Sequence, residues 1–206
     1  MRVWPVSKPI LLKLGGSLLE WSELPQALDQ LISRIDEPLA LLIGGGKMAD
    51  CLRDWHHRHR STEESSHWRA IQVLDLTCDM VRELNPRFLK WANVHPPWST
   101  NPIRKMVWVV QPLKYLESTA IAGSDIFLPR NWSSTSDSIA LKLASDWNCS
   151  RLLLLKSCDL PRGDWDDCAR TGHVDPAFPL LLQSLQTAPE IEWINLRNFA
   201  PPITNS

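Results

Sequence analysis

Four short apolar runs along the chain predict buried strands. Each run is continuous rather than alternating, which is typical of strands that are covered on both faces of a parallel sheet. The runs lie at 10–14, 39–43, 106–110 and 151–157. A fifth, shorter strand is predicted at 125–129.

Segments with apolar residues at helical spacing separate these strands. The predicted helices lie at 23–35, from 47 onward, at 63–84 and at 136–147. Continuous strands joined by amphipathic helices predict an α/β fold, a three-layer αβα sandwich around a mostly parallel sheet. The proline-rich stretch at 85–102 is predicted to be irregular.

The length of the chain favours one domain. With 206 residues and 44% hydrophobic content, the chain can bury one sizeable core. We expect a single domain over 1–200 and a disordered tail at 201–206.

The charge balance argues against a polyanionic partner. Lys and Arg total 22 against 23 Asp and Glu, a net charge of −1, so no overall field favours nucleic acid or an anionic membrane. The apolar runs are too short to span a bilayer, and Lys8 and Lys13 interrupt any secretory signal. We therefore expect a cytoplasmic protein that binds neither nucleic acid nor membrane.

The cysteine and histidine patterns predict no resident metal site. The five cysteines are odd in number and include no C-x-x-C pair, which argues against a disulfide framework and against structural zinc. We expect His56, His57 and His59 to form a solvated helix end. His173 and Asp175 are expected to lie in a turn before proline.

A lysine inside the first strand and two glycine turns point to a phosphate site. Lys13 lies in a buried run, where an amine is costly unless an anion meets it. Glycine turns follow the first two strands, at Gly15, Gly16 and Ser17 and at Gly44, Gly45 and Gly46. Ligands bind at this edge of a parallel sheet, and backbone N–H groups of such turns suit phosphate oxygens. The alternative is that the glycines only end the strands, since neither turn matches a standard nucleotide fingerprint.

Two further segments place polar residues at the same predicted edge. The hydroxyl-rich run at 133–138 opens a helix, where such residues usually serve as caps. Within it, Asp137 is expected to orient the lysines or to help hold magnesium. Lys156 ends the last buried strand and is followed by Ser157 and Asp159. Two lysines at one edge of a sheet predict a shared anion.

These four motifs, in this order, resemble the amino acid kinase superfamily. They are K-x-G-G-S at 13–17, Gly-Gly-Gly at 44–46, T-S-D-S-I-A at 135–140 and the apolar strand that ends in Lys156. The resemblance covers roughly residues 9–160 and implies that Lys13 binds the phosphoryl group in transfer. It also implies that the glycine turns hold phosphates of donor and acceptor and that Asp137 organises the lysines. ATP, Mg²⁺ and a homo-oligomer are expected with it.

Three segments look most like one branch of that superfamily, the aminomethylfuran-methyl phosphate kinases of methanofuran biosynthesis. The segments are HWRAIQVLD, LPRNWSSTSDSIALKLA and LLLLKSCDL. This resemblance implies transfer of the γ-phosphoryl group of ATP to a phosphomonoester, giving a diphosphate, in tetrahydromethanopterin-linked one-carbon metabolism. It places the acceptor beside the helix at 67–81, where Asp75 would recognise an aminomethyl cation and Trp132 and Thr135 would also contact substrate. The alternative for Asp75 is an exposed carboxylate on a helix.

The chain departs from the superfamily pattern after residue 159. Many superfamily members have a later glycine turn and a second phosphate lysine in this region. Here Leu160 stands where relatives usually have glycine, and the segment 162–179 contains only two glycines, Gly163 and Gly172. Lys156 is therefore a candidate for the role of that second lysine. Two alternatives stay open: a kinase with a carboxylate or carbamate acceptor, and a non-catalytic protein that senses a nucleotide or metabolite.

Overall fold

The computed structural model, which describes residues 8–99, 106–122 and 128–199, contains one six-stranded sheet in the order β3-β4-β2-β1-β5-β6. All neighbouring strands pair in parallel. Their bounds are β1 Ile10–Leu14, β2 Leu39–Ile43, β3 Phe88–Trp91, β4 Val107–Val110, β5 Arg151–Lys156 and β6 Glu190–Asn195. The predicted α/β fold with a parallel central sheet is confirmed.

Helices cover both faces of this sheet. The α-helices of the described residues are α1 Leu24–Ile32, α2 Gly46–His59, α3 Glu63–Arg82, α4 Leu113–Ala122, α5 Ser136–Asp146, α6 Trp165–Arg170 and α7 Ala177–Ser184. Residues of α3, α4, α5 and α7 form an apolar core on one face. Residues of α1 and the C-terminal end of α3, with Leu196, form a second core on the other face. Within the described ranges, no helix combines the length and the apolar character needed to cross a bilayer.

The two outermost strands were not predicted from the sequence. β3 lies inside the stretch that was predicted to be irregular, and β6 lies in a segment for which no strand was expected. Both are edge strands with exposed or half-buried polar positions, so neither shows the continuous apolar run of a central strand. The predicted strand at 125–129 falls mostly outside the described residues, as does the expected tail at 201–206.

The glycine turns after β1 and β2 pack directly against each other. Gly44 N donates to Leu14 O over 2.8 Å, which joins the two turns at their base. A Cβ atom added to Gly44 would lie 2.8 Å from Gly16 N, and one added to Gly16 would overlap the backbone of Gly46. Gly46 also has a φ of 55°, a conformation that glycine adopts readily. Only glycine therefore allows the two turns to approach this closely.

Gly16→Ala is expected to lower the free energy of unfolding by about 1–3 kcal/mol, because the new Cβ overlaps the Gly46 backbone and forces the turns apart. Ser17→Ala is the control in the same turn: it adds no atom and removes only one hydrogen bond, a loss of about 1 kcal/mol or less. Denaturant unfolding measures both. A Gly16→Ala protein as stable as the wild type would contradict the close approach of the turns.

Candidate active site

Two buried lysines share one carboxylate at the carboxyl edge of the sheet. Lys13 Nζ lies 2.7 Å and Lys156 Nζ 2.9 Å from the same oxygen, Asp137 Oδ1. The residues are 3%, 9% and 6% exposed for Lys13, Lys156 and Asp137. The structure thus brings together the three residues that the sequence predicted as the catalytic group; we call them the lysine–aspartate triad.

Strand geometry explains why the two lysines meet. Leu11 and Leu154 both pack in the core on the α5 side of the sheet. Because side chains alternate along a strand, Lys13 and Lys156, each two residues further on, point to that same side. β1 and β5 are neighbours in the sheet, and Asp137 is the second residue of α5, so all three side chains converge.

The triad carries more positive than negative charge. Burial disfavours the carboxylate of Asp137, but the ammonium groups of Lys13 and Lys156 outweigh burial and hold its pKa below the ordinary 3.8. The stabilisation that comes from this carboxylate is therefore present above pH 3.8 and is lost as the pH falls through the lower pKa of the folded protein. Burial, together with the charge of Lys13, lowers the pKa of Lys156 to about 8. Within the triad two ammonium groups face one carboxylate, so the triad has a net positive charge.

Two further contacts hold the ammonium group of Lys156. It donates to the backbone oxygen of His173 over 2.6 Å, and it lies 5.3 Å from the centre of the Trp193 ring. The indole of Trp193 is itself held by donation from Nε1 to Cys158 O over 2.9 Å. The position of Lys156 therefore depends on β6 and on the segment between α6 and α7 as well as on Asp137.

A cavity of about 230 Å³ opens beside the glycine turns. The turns form one side, α2 and α3 form another, and the segment before α5 closes the third. Its polar side chains are Ser17, Asp50, Arg53, His67, Asn131, Trp132, Ser134, Thr135 and Ser136. The guanidinium of Arg53 lies 4.8 Å from the centre of the Trp132 ring and 2.6 Å from Asp50 Oδ1. Burial lowers the pKa of His67 below its ordinary 6.5, so this imidazole is neutral at pH 7.

Two polar groups in the cavity wall have no hydrogen-bond partner among the described residues. They are Trp132 Nε1 and Ser134 Oγ, and both atoms are buried. Buried polar groups are nearly always hydrogen-bonded, and leaving one unpaired costs free energy. A ligand that offers acceptor atoms to these two groups would remove that cost, so they are candidate ligand contacts.

Other predicted site residues lie at varying distances from this cavity. Ser17 and Ser157 face each other with 3.0 Å between their hydroxyl oxygens, which joins the first glycine turn to the end of β5. Asp159 is exposed and accepts from Asn195 Nδ2 over 2.8 Å. The Thr135 hydroxyl lines the cavity but donates to Asp175.

Asp75 is not among the residues that line the cavity. Its Oδ1 accepts a hydrogen bond from Leu113 N, the first residue of α4, over 3.2 Å. Burial raises its pKa to about 6. This placement gives Asp75 a role at the start of α4 and lends no support to the predicted contact with a substrate amine.

Sequence reasoning overlooked several residues of the site. Arg53 lies about two helical turns after Gly46, so its spacing from the second glycine turn was an available signal. His67 shares a face of α3 with Ile71 and Leu74, so the helical spacing of that apolar face was the signal for His67. Asp175 was assigned only to a turn before proline. Its contacts with α5 had no local signal, because the residues that it contacts are up to 40 positions away.

The expectation of a solvated end for α2 was wrong for His56. Its side chain is mostly buried, with Nδ1 3.0 Å from Ser66 Oγ and Nε2 3.3 Å from Glu63 Oε1. The helix-end pattern did not reveal that the start of α3 packs against this ring. No group of three or more metal-ligating side chains occurs among the described residues.

Comparison with known proteins gives one related sequence and a set of similar structures. No model of a protein family matches the chain. The [5-(aminomethyl)furan-3-yl]methyl phosphate kinase of Methanocaldococcus jannaschii is 23% identical over 188 residues, which cover 85% of this chain and 83% of that protein.

The similar structures establish the fold. The uridylate kinase of Archaeoglobus fulgidus superposes with a TM-score of 0.61 at 14% identity, over 92% of each chain. The UMP kinase of Bacillus anthracis gives a TM-score of 0.59 at 13% identity, over 92% of this chain and 88% of that one. The chain therefore has an amino acid kinase-like fold, as its motifs suggested, and each of the three proteins it is compared with here is a kinase.

Asp137→Asn is expected to lower the free energy of unfolding by about 3–5 kcal/mol, because it leaves two buried ammonium groups without their carboxylate. The matched control is Glu64→Gln, which neutralises an exposed carboxylate paired with Arg130 and should lower the free energy of unfolding far less, because solvent screens an exposed ion pair. Denaturant unfolding at pH 7 gives both values. Similar losses for the two variants would argue against a shared carboxylate in the triad.

Proposed function

We propose that the chain is an ATP-dependent kinase that transfers the γ-phosphoryl group to a small phosphomonoester such as an aminomethylfuran-methyl phosphate. The observation that carries this proposal is the pair of buried ammonium groups on Asp137, set beside two glycine turns and a cavity. Phosphoryl transfer depends on alignment and charge neutralisation rather than on a covalent nucleophile. The carboxyl edge of this sheet offers both.

In this mechanism the bond between the γ-phosphorus of ATP and the β–γ bridging oxygen breaks, and that oxygen leaves with ADP. A new bond forms between the γ-phosphorus and an oxygen of the acceptor phosphate. Lys13, assisted by Lys156, neutralises the negative charge of the phosphoryl group during its transfer. Gly15 N and Gly44 N already donate to Leu155 O and Leu14 O, so the later N–H groups of the two turns would meet phosphate oxygens. Asp137 keeps both ammonium groups in place. A phosphomonoester is already largely ionised at pH 7, so its attack requires no general base.

The proposed acceptor class has two supports. The sequence relative from Methanocaldococcus jannaschii is a phosphate kinase. The cavity, at about 230 Å³, is smaller than the roughly 300–1,000 Å³ of sites for drug-sized ligands, which favours a compact acceptor. Trp132 Nε1 and Ser134 Oγ would then hydrogen-bond acceptor atoms of its body. The proposed setting is tetrahydromethanopterin-linked one-carbon metabolism in the cytoplasm.

The described residues of the site suit the phosphate chain of a nucleotide better than a metal ion bound by the protein alone. Lys13, Lys156 and the glycine turns are complementary to phosphates. Asp137 Oδ1 already accepts from two ammonium groups, and the described residues include no cluster of metal ligands around it. Magnesium usually binds one or two carboxylates together with substrate phosphates, so we expect it to arrive with ATP. No step of the mechanism above depends on it.

An exposed apolar stripe supports the expected homo-oligomer. Leu76, Met80 and Leu84 follow one another at helical spacing along and just beyond α3, and they are 52%, 51% and 42% exposed. Contiguous exposed apolar residues often mark a protein interface.

The product of the reaction tests the proposal. The protein is incubated with ATP, magnesium and, in separate arms, a ring-bearing phosphomonoester, a carboxylate and carbamate. We expect ADP and a diphosphate product, visible by ³¹P NMR and stable to hydroxylamine, in the phosphomonoester arm. If hydroxylamine gives a hydroxamate in the carboxylate arm, the acceptor is a carboxylate and not a phosphomonoester. If ATP raises the thermal stability of the protein but no arm releases ADP, the protein binds the nucleotide without catalysing transfer.

Lys13→Ala is expected to lower kcat by about 2–3 powers of ten, the value of one charge contact made in the transition state. Asp137 keeps its pairing with Lys156 in this variant, so the fold should survive, and Lys13→Met is a second variant of closer volume. Lys90→Ala is the control, because Lys90 is a half-exposed lysine on β3 paired with Asp79. Undiminished ATP consumption by folded Lys13→Ala protein would refute the assignment.

A further inference from the structure

A carboxylate outside the triad holds the start of the helix that carries Asp137. Asp175, in the segment between α6 and α7, is 6% exposed. Its Oδ2 accepts from Thr135 N and Thr135 Oγ1, each over 3.0 Å, and from Ser138 N over 2.9 Å. Its Oδ1 accepts from the Ser138 hydroxyl. Four donors of the first turn of α5 thus converge on one side chain.

The same segment also holds Lys156. The backbone oxygen of His173, two residues before Asp175, accepts from Lys156 Nζ over 2.6 Å. The segment is itself anchored, since His173 N donates to Cys168 O over 2.8 Å and Ala177 N donates to Ser133 O over 2.9 Å. One short stretch of chain therefore contacts both the helix of Asp137 and the ammonium group of Lys156.

This arrangement differs from the ordinary capping of a helix. The N-cap residue Thr62 of α3 accepts a hydrogen bond from the backbone of its own first turn, and Asp164 does the same for α6. Thr135, the N-cap residue of α5, makes no such bond and is instead held by Asp175. A hydroxyl cap costs less to bury than a carboxylate does, so the buried charge calls for a further role.

The charge of Asp175 acts on the triad. Burial, with the charge of Asp137, raises the pKa of Asp175 above its ordinary 3.8. Its negative charge in turn favours the protonated form of Lys156, against burial and the charge of Lys13, which lower that pKa. Three ionisable groups thus shift the pKa of Lys156: Lys13 on β1, Asp137 on α5 and Asp175. In turn, the charge of Lys156 opposes the burial that raises the pKa of the Cys168 thiol on α6.

We propose that Asp175 is a positioning residue for phosphoryl transfer, which holds the first turn of α5 so that Asp137 keeps Lys13 and Lys156 in register. The inference rests on the proposed function of the triad. Asp175 acts through Thr135 and Ser138, and none of its four hydrogen bonds involves a lysine of the triad.

Two substitutions separate the geometric role of Asp175 from its charge. Asp175→Ala removes all four acceptor contacts and should lower kcat by about 10- to 100-fold, the scale of a small misplacement of catalytic groups, while KM changes much less. Asp175→Asn keeps a carbonyl oxygen for the Thr135 and Ser138 donors and should recover most of kcat at pH 7. Because it lacks the negative charge that raises the pKa of Lys156, it should move the alkaline limb of the kcat profile to lower pH than in the wild type.

Asp146→Asn is the matched control on the same helix. Asp146 lies at the far end of α5, roughly 13 Å from Asp137 at about 1.5 Å per residue, where it pairs with Lys142 over 2.8 Å. This variant should lower Tm, yet leave kcat of the folded protein and its alkaline limb unchanged.

A readout without turnover keeps the test independent of the proposed function. In the absence of ATP, an NMR titration of the lysine Nζ groups should show a lower pKa for Lys156 in Asp175→Asn than in the wild type or in Asp146→Asn. Equal kcat losses in Asp175→Ala and Asp146→Asn would overturn the positioning role. An unchanged Lys156 titration would overturn the effect of the Asp175 charge on the triad. A wild-type protein that produces no ADP with any acceptor would overturn the proposed function instead, and the titration would still decide whether Asp175 sets the charge of the triad.

Discussion

The pairing of two buried ammonium groups with one carboxylate governs the carboxyl edge of this sheet. A charge is tolerated inside a protein only when it is paired and hydrogen-bonded. Asp137 serves both Lys13 and Lys156 through a single oxygen, so the triad has a net positive charge. The first glycine turn lies against Lys156, and the adjoining cavity contains two buried polar groups that have no hydrogen-bond partner among the described residues.

The cavity and the triad divide the work of the site. The first glycine turn borders both, because Gly15 lies against Lys156 while Gly16 lines the cavity, and the two turns approach so closely that no side chain fits at their contact. On one side the lysines provide charge, and on the other Trp132 and Ser134 provide unpaired donors for a ligand body. This division matches the needs of a two-substrate transfer, in which a polyanion must be neutralised beside a smaller molecule that has to be oriented.

The region in which the chain departs from the superfamily pattern is also the region that supports the triad. After β5 there is no second glycine turn at the expected place. The segment around His173 and Asp175 instead contacts Lys156 and the first turn of α5, and Trp193 on β6 lies against the same ammonium group. The later part of the chain therefore contacts the triad and its helix through this segment and through β6.

Local sequence patterns determined the fold class, the central strands, the glycine turns and the three members of the triad. Each of these follows from periodicity or from a residue type that is costly in its predicted setting, such as Lys13 in a buried strand. The edge strands β3 and β6, the contact of His56 with α3, and the place of Asp75 at α4 were decided only by the tertiary structure. So was the cap of α5 by Asp175, across up to 40 positions of the chain. Hydrophobic periodicity records which face of an element is buried, whereas a polar contact between distant segments leaves no periodic trace, because its partners become neighbours only when the layers pack.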